Sequence, residues 1–448
     1  MKHLLLASVL VMIFVMPGAP GVVAQTPSPP PRDATLSLTL EEAIRRGLDT
    51  SHQIEASMAR SEMVTAVADQ RLAALRPLAA LEAGYTRTNH VDEFGVVRPN
   101  NEFVVIYPDI PDNYRTRVGA QWLLYDGHRR ESLERSARSD ARVASQDTDV
   151  LRQDLRLEIT RAYWALVMAI ESSRVLNESL TRVEAQLQDV RNQLEAGLIP
   201  PNDVLSVEAQ RSRQQMLSIQ ASATRDVAQA ALGRLIGVPP GTAVEPRIPD
   251  TPVPEAGAID VLVAEARQNR RERNSLIEGI TAAEERQRAA AAGSGPTIAA
   301  NGGVDYANPN PRIFPRAGVW QPAWDASINL NWPLFDGGRT KAEVAEAAAG
   351  VRAARARLAE FDTILEVEVR QRWSELGAAR AAIVAAEDAV RAATEARRVA
   401  GERFAAGVAT STDTLDAQVA LLQAGLDRTQ AIANARLAQA RLARAVGR

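Results

Sequence analysis

Apolar and polar positions along this chain fall into a fixed succession of patterns, and the succession occurs twice. Leu40 to Leu75 has helical composition, opened by Thr39 to Glu42 as a capping box. At Pro77 the period changes to two, with Ala79, Leu81, Ala83 and Tyr85 alternating with Ala80, Glu82, Gly84 and Thr86. After a polar loop rich in Pro and Asn, Val118, Ala120, Trp122 and Leu124 alternate with Arg117, Gly119 and Gln121. The second occurrence is cleaner: Trp324, Ala326, Ile328, Leu330, Trp332 and Leu334 alternate with Asp325, Ser327, Asn329, Asn331 and Pro333. Six apolar positions on one face of about ten residues predict a transmembrane β-strand. The edge strand of a soluble sheet usually keeps such alternation over only about five residues.

Each alternating pair gives way to a very long helical pattern. Leu155, Ile159, Ala162, Leu166, Ala169, Ser173, Leu176, Leu180, Val183, Leu187, Val190 and Leu194 step by four and three, a coiled-coil seam. Leu365, Val369, Leu376, Ala379, Ile383, Ala386, Val390 and Ala393 hold the equivalent register with smaller side chains. One helix from Gly127 to Glu195 would extend about 100 Å. Gly197 and Gly407 are placed to end the two long helices, with Pro200-Pro201 and Thr410-Ser411-Thr412 starting the returning ones.

The recurrence is a duplication. Trp122-Leu123-Leu124-Tyr125-Asp126-Gly127 returns as Trp332-Pro333-Leu334-Phe335-Asp336-Gly337, an offset of 210 that also carries Gly197 onto Gly407, Asp203 onto Asp413 and Leu232 onto Leu442. Pro77 to Tyr85 resembles Pro296 to Tyr306 at a slightly different offset, so the length difference lies between these stretches and the Trp motif. The expected organisation is a first repeat over 38–237, a Pro-rich linker over 238–257 and a second repeat over 258–448. The β-hairpins are expected at about 79–126 and 297–336, the tip turns at 197–203 and 407–416. Ahead of them, residues 1–24 read as a secretory signal peptide, with Lys2 and His3, an apolar run from Leu4 to Met16, and small residues before Gln25. Residues 25–37 read as a disordered, Pro-rich tail.

Composition narrows the classes further. Among 448 residues there is no cysteine, which excludes disulfides, thiolate metal sites, thiol nucleophiles and a lipidated N-terminal cysteine. Fifty-two basic against 55 acidic residues give a net charge of −3, so nothing points to nucleic acid. The four histidines (His3, His52, His90 and His128) are scattered, and no metal spacing, phosphate loop or nucleophile elbow is present; no cofactor, no metal and no catalytic group is expected. Aromatics are few but concentrated: thirteen of the nineteen lie in 79–126 and 297–336, where even scattering would place about four. Trp122, Tyr125, Trp324 and Trp332 are the expected members of a membrane-interface belt. Asp126-Gly127 and Asp336-Gly337 are read as strand-to-helix junctions. Asp413 and Asp203 each suit the first turn of a helix for ordinary reasons.

Two hairpins supply four strands, too few to close a barrel, and an open edge in lipid leaves backbone groups unpaired at several kcal/mol each. Two chains would give eight strands and three would give twelve; the residues alone do not choose. A periplasmic coiled-coil adaptor or scaffold is the alternative reading. Such a protein would share the heptads but lack a second aromatic, alternating hairpin.

The paired Trp motifs, Leu38-Thr39-Leu40-Glu41-Glu42-Ala43, and the turns Gly197-Leu198-Ile199-Pro200-Pro201-Asn202-Asp203 and Gly407-Val408-Ala409-Thr410-Ser411-Thr412-Asp413 together resemble the TolC family of outer-membrane efflux proteins. The resemblance covers nearly the whole chain after residue 37. It implies a mainly α fold with a small transmembrane β portion: a long coiled-coil α-barrel and four β-strands per chain, closing as a homotrimer into a twelve-stranded barrel in outer-membrane lipid. It also implies an exit duct for efflux or type I secretion. Such a duct docks onto a periplasmic adaptor and an inner-membrane pump of RND, ABC or MFS type. By resemblance, Asp413 and Asp416 belong at the periplasmic aperture, where rings of carboxylates favour cations. Gly197, Asp203 and Gly407 fall on the adaptor-facing tip. The chain departs from lipidated relatives in lacking the anchor cysteine, and Pro200-Pro201 makes the first tip distinctive.

Overall fold

A computed structural model of the chain describes residues 36–248 and 252–448. The expected signal peptide and most of the tail lie outside the described residues. The last two tail positions do not follow the reading from composition: Leu36–Leu38 forms strand β1, parallel to β6 (Val244–Pro246) inside the linker.

Helices α1 (Leu40–Asp49) and α2 (His52–Ala73) lead into β2 (Leu78–Arg87). Thr39 caps α1 with the reciprocal Glu42 bonds expected of a capping box. The loop beyond β2 is not plain coil. It carries a separate hairpin, β3 (Phe94–Val97) with β4 (Phe103–Tyr107), before β5 (Asp112–Tyr125). This hairpin was hidden because the surrounding Pro, Asn and acidic residues give it a loop's composition. Helix α3 (Arg129–Glu195) then runs 67 residues without a break, about 100 Å. Helix α4 (Pro201–Leu235) returns along it.

The second repeat follows the same order: α5 (Ile259–Asn269), α6 (Arg271–Ala291), β7 (Thr297–Asn308), β8 (Gln321–Asn331), α7 (Arg339–Ala405) and α8 (Ser411–Ala445). Both long helices have 67 residues and both returning helices have 35. Strand β8 stops at Asn331, short of the predicted alternation through Leu334, because Pro333 has no N–H to continue the ladder.

The four long strands form one antiparallel sheet in the order β2-β5-β7-β8. The helices above continue that order, α2 on α3, α3 on α6 and α6 on α7. Towards the tip the order is α4-α3-α8-α7. One face of the sheet is apolar, with Leu81, Val118, Val304 and Trp324 in lateral register, all exposed. The opposite face carries Arg115, Arg117, Asp305 and Asp325. Arg115 Nε donates to Asp305 at 2.8 Å, and Arg117 donates to Asp305 and, at 2.8 and 3.0 Å, to both oxygens of Asp325. To reach β8, Arg117 crosses β7 at Gly303, where a Cβ would stand 2.9 Å from its guanidinium.

The duplication is visible in the core. Leu155, Ile159, Leu166, Leu232 and Ile236 of one buried cluster correspond at an offset of 210 to Leu365, Val369, Leu376, Leu442 and Val446 of the other. A second offset, 219, relates the elements ahead of the hairpin loops, carrying Gly47 of α1 onto Ala266 of α5 and Leu78 onto Thr297. The nine-residue difference lies in the loop that holds β3 and β4. At the α1–α3 contact a Cβ on Gly47 would lie 2.4 Å from Ile159 Cδ1 and 3.0 Å from the Leu235 carbonyl. The second repeat places Ala266 in the cluster that holds Val369. A larger small residue is matched there by a smaller large one.

Gly47→Ala is therefore expected to destabilise the fold by roughly 1–3 kcal/mol through overpacking, read as a lower thermal unfolding midpoint in detergent. Adding Ile159→Val should recover part of that loss. Gly350→Ala in α7, where a Cβ meets nothing within 4 Å, should be neutral or slightly stabilising. Equal effects of the two glycine substitutions would sink the packing argument.

Candidate functional site

All the residues singled out from sequence except Trp324 gather at two places in each repeat: the strand-to-helix junction at the base of the sheet, and the turn at the far end of the long helix.

Both junctions are built alike. Gly127 and His128 adopt left-handed backbone at φ +68° and +66°, and Gly337 and Gly338 do so at +66° and +90°. The chain thereby turns from extended to helical within two residues. The preceding aspartate holds the turn. Asp126 accepts the N–H groups of Arg129 and Arg130, both at 3.1 Å, and Arg130 Nε at 3.0 Å. Asp336 accepts the N–H groups of Gly338 at 3.0 Å and Thr340 at 2.9 Å, together with the Thr340 hydroxyl. These donors, the hydroxyl first, hold the Asp336 carboxyl down at about 2. Trp122 and Trp332 complete the junctions from the strand side. Each donates its indole N–H at 3.1 Å to a backbone carbonyl where the helix meets the strand, Leu75 in one repeat and Ser294 in the other. Tyr125 and Trp332 stand at this end of the sheet, whereas Trp324 stands near the opposite end, with Tyr306 and Trp320 stacked at 5.0 Å close to it. Aromatics thus mark both ends of the strands.

Gly197 and Gly407 lie in left-handed backbone at φ +73° and +74°. Leu198 N–H reaches Gln193 O and Gly197 N–H reaches Leu194 O, both at 2.9 Å, a Schellman closure that Val408 and Gly407 repeat on Arg403 and Phe404. The restart differs between repeats. Pro200 and Pro201 open α4 with no side-chain cap, and Asp203 contributes only its N–H, to Pro200 O at 3.1 Å. Thr410 opens α8 with a full capping box: Thr410 N–H and Oγ1 both donate to Asp413 at 2.8 Å, and Asp413 N–H donates back at 3.2 Å. Those bonds lower the Asp413 pKa, Thr410's N–H contributing most. Asp416, one turn on, is exposed and makes no side-chain hydrogen bond or ion pair among the described residues.

Sequence reasoning overlooked three groups. The Arg115–Asp305–Arg117–Asp325 chain was legible only as charges on the polar face of alternating strands, without a pairing. Arg130, which also reaches Ala74 O at 2.9 Å, carried no signal. Nor did Gln186 and Gln418, joined at 2.7 Å between α3 and α8 near the tip. Among the described residues no group of acidic or His side chains is placed to hold a metal, and no helix is long and apolar enough to cross a membrane.

A two-faced antiparallel sheet with aromatics at both ends, running directly into paired helices about 100 Å long, defines an outer-membrane channel with a periplasmic extension. Residues 43–238 and 262–448 match the family described as Outer membrane efflux protein, and the chain belongs to it. It is 27% identical over 362 residues to Protein CyaE of Bordetella pertussis, covering 79% of this chain and 72% of that one. Among solved structures it resembles the outer membrane protein VceC of Vibrio cholerae, with a TM-score of 0.77 at 20% identity over 91% of this chain and 96% of that one. It also resembles the transmembrane channel CusC, with a TM-score of 0.78 at 14% identity over 93% and 94%. The chain is an outer-membrane exit duct reaching into the periplasm, a conduit rather than an enzyme, and the adaptor reading is set aside.

Because Asp336 ionises more readily in the folded chain than unfolded, its contribution to stability is present above the ordinary carboxylate range and is lost as pH falls from about 4 towards 2. Asp336→Asn should lower the thermal midpoint at pH 7, and the gap to the parent protein should close over that window. A gap that stays constant with pH would rule out the carboxylate as its source.

Proposed function

We propose that three copies close the sheet into a twelve-stranded barrel and the helices into one continuous tube, which passes the cargo of an inner-membrane pump, delivered through a periplasmic adaptor, to the cell exterior. The observation that carries this reading is the uneven burial of two helices of equal length. Helix α3 buries twenty-one of its 67 residues, whereas α7 buries five. A helix of that length left bare along one side needs a neighbour, and the sheet has two open edges, β2 and β8, that lipid does not tolerate. Electron microscopy of the detergent-extracted protein tests the assembly: a threefold tube over about 100 Å long, with a short barrel at one end, is expected. A single-chain particle would overturn it.

In this assembly the helical tip is the gate, and the two tip turns of each copy present different surfaces to the adaptor. The first presents Leu198 with the stiff Pro200-Pro201 pair, the second Val408 with a polar, capped helix start. Asp413 and Asp416 lie on one side of α8 at spacing i, i+3. Asp413 has a structural duty in the cap, and Asp416 is the freer charge.

Asn at 413 keeps an acceptor for the Thr410 N–H while removing the charge. The double variant Asp413→Asn/Asp416→Asn is expected to assemble normally and to show a weaker cation preference in planar bilayer recordings. An unchanged preference in a correctly assembled channel would remove both residues from the gate.

A further inference from the structure

The loop between β7 and β8, twelve residues from 309 to 320, does not stand clear of the sheet. Burial along β7 shows where it goes. Asp305 and Ala307 are 3% and 1% exposed, against 55% for Val304 and 50% for Tyr306 beside them. The two buried positions belong to the polar face, in register with Arg117 and Arg115. Asp305 lies under the arginines that bind it; Ala307, next on the same face, lies under the loop. Asn310 folds the chain back over the sheet. Almost fully buried, it donates Nδ2 to Gln321 O at 2.8 Å and accepts the Arg312 N–H at 3.0 Å.

Two arginines of the loop hold it there. Arg312 Nη1 donates to Trp324 O at 3.1 Å, and its Nη2 stands 3.0 Å from Asp325 on the polar face of β8. Arg316 crosses to the first repeat. Its Nη1 donates to the Tyr107 hydroxyl of β4 at 2.7 Å and its Nη2 to Asn113 Oδ1 of β5 at 3.2 Å. The guanidinium also lies 5.0 Å from the Tyr107 ring centre. The loop therefore spans the sheet from β8 back to β5. Beneath it is a cavity of 390 Å³, lined by Glu82, Thr86, Asn113 and Arg115 of the polar face and by Pro311 and Arg316 of the loop.

In a closed barrel the polar face is the interior. Resting on the closed-ring reading above, we propose that the β7–β8 loop of each copy lies inside the outer mouth and narrows it. Arg312 and Arg316 are then the positioning residues that set the width of cargo the duct releases. A barrel of twelve strands is intermediate between about eight, which side chains fill, and about sixteen, which leave an open channel. Three inward loops take a large share of such an opening. The duct thus has a narrow place at the end opposite the helical tip, built from loop backbone and arginines in place of aspartates.

The absence of native cysteine allows a size-graded thiol test on whole cells. Ser327 sits deeper on the polar face of β8 and is exposed. In Ser327→Cys a small charged methanethiosulfonate should react, while a polymer-linked maleimide added outside should react slowly. Adding Arg312→Ala/Arg316→Ala should speed the polymer-linked reagent roughly tenfold, the worth of one charge-assisted hydrogen bond, and leave the small reagent unchanged. Ala307→Cys should be protected from the small reagent. It needs no altered arginine, so it remains informative if the double variant does not assemble. A polymer-linked rate unchanged by the arginine substitutions in assembled protein, or an Ala307→Cys thiol open to the small reagent, would overturn the constriction. A Ser327→Cys thiol closed even to the small reagent would overturn the closed ring, and the proposal with it.

Discussion

Hydrocarbon offers no partner to a backbone N–H, and that single constraint arranges most of this molecule. Within one chain β5 and β7 are flanked on both sides, while β2 and β8 each leave one edge unpaired. In the proposed assembly closure comes from other copies, so the strands fix where copies meet and how many strands lie between meetings. The helices inherit that spacing because each long strand passes into its helix through a junction too short to reorient it. Asp126 and Asp336, bonded to the first helical N–H groups, make the junctions stiff. In the proposed assembly the tube is therefore a continuation of the barrel and not a separate body.

Duplication supplies the second organising fact. Equal helix lengths and paired core positions hold the repeats in phase, while the side chains that fill the shared scaffold have diverged. Gly47 against Ile159 and Ala266 beside Val369 fill corresponding spaces by different division of volume. The tips diverge more. One helix starts on prolines and the other on a Thr–Asp box, so the two tips of one chain present different chemistries.

Much of this was legible in the residues. The long helices follow from seams stepping by four and three, and Leu155, Ile159, Leu166, Leu176, Val183 and Val190 are buried where those seams place them. The strands follow from alternation and the turns from Gly197 and Gly407. Asp413 was open to an ordinary reading at a helix start, and the capping box gives it that duty; a part in the gate remains a proposal. What periodicity does not carry is the partner of a charge. Arg117 shows in sequence only as a polar position on a strand, and its path over Gly303 to Asp325 depends on which strands are neighbours. The β3–β4 hairpin escaped for another reason, since its strands are only four and five residues long and Arg98, Pro99, Asn100 and Asn101 between them read as loop.

That hairpin, confined to one repeat, shows where the chain is free to change length. It hangs from the outer ends of β2 and β5, beyond their paired residues, so adding or removing residues there alters neither ladder register nor helix phase. One residue inserted within α3 would instead rotate everything past it by about 100° and carry the seam off its partner. Insertions and deletions can accumulate at the cell surface while the sixty-seven positions of α3 keep a fixed count. The outward face is thus the evolvable end of the molecule, and the long helices beneath it hold a ruler's length.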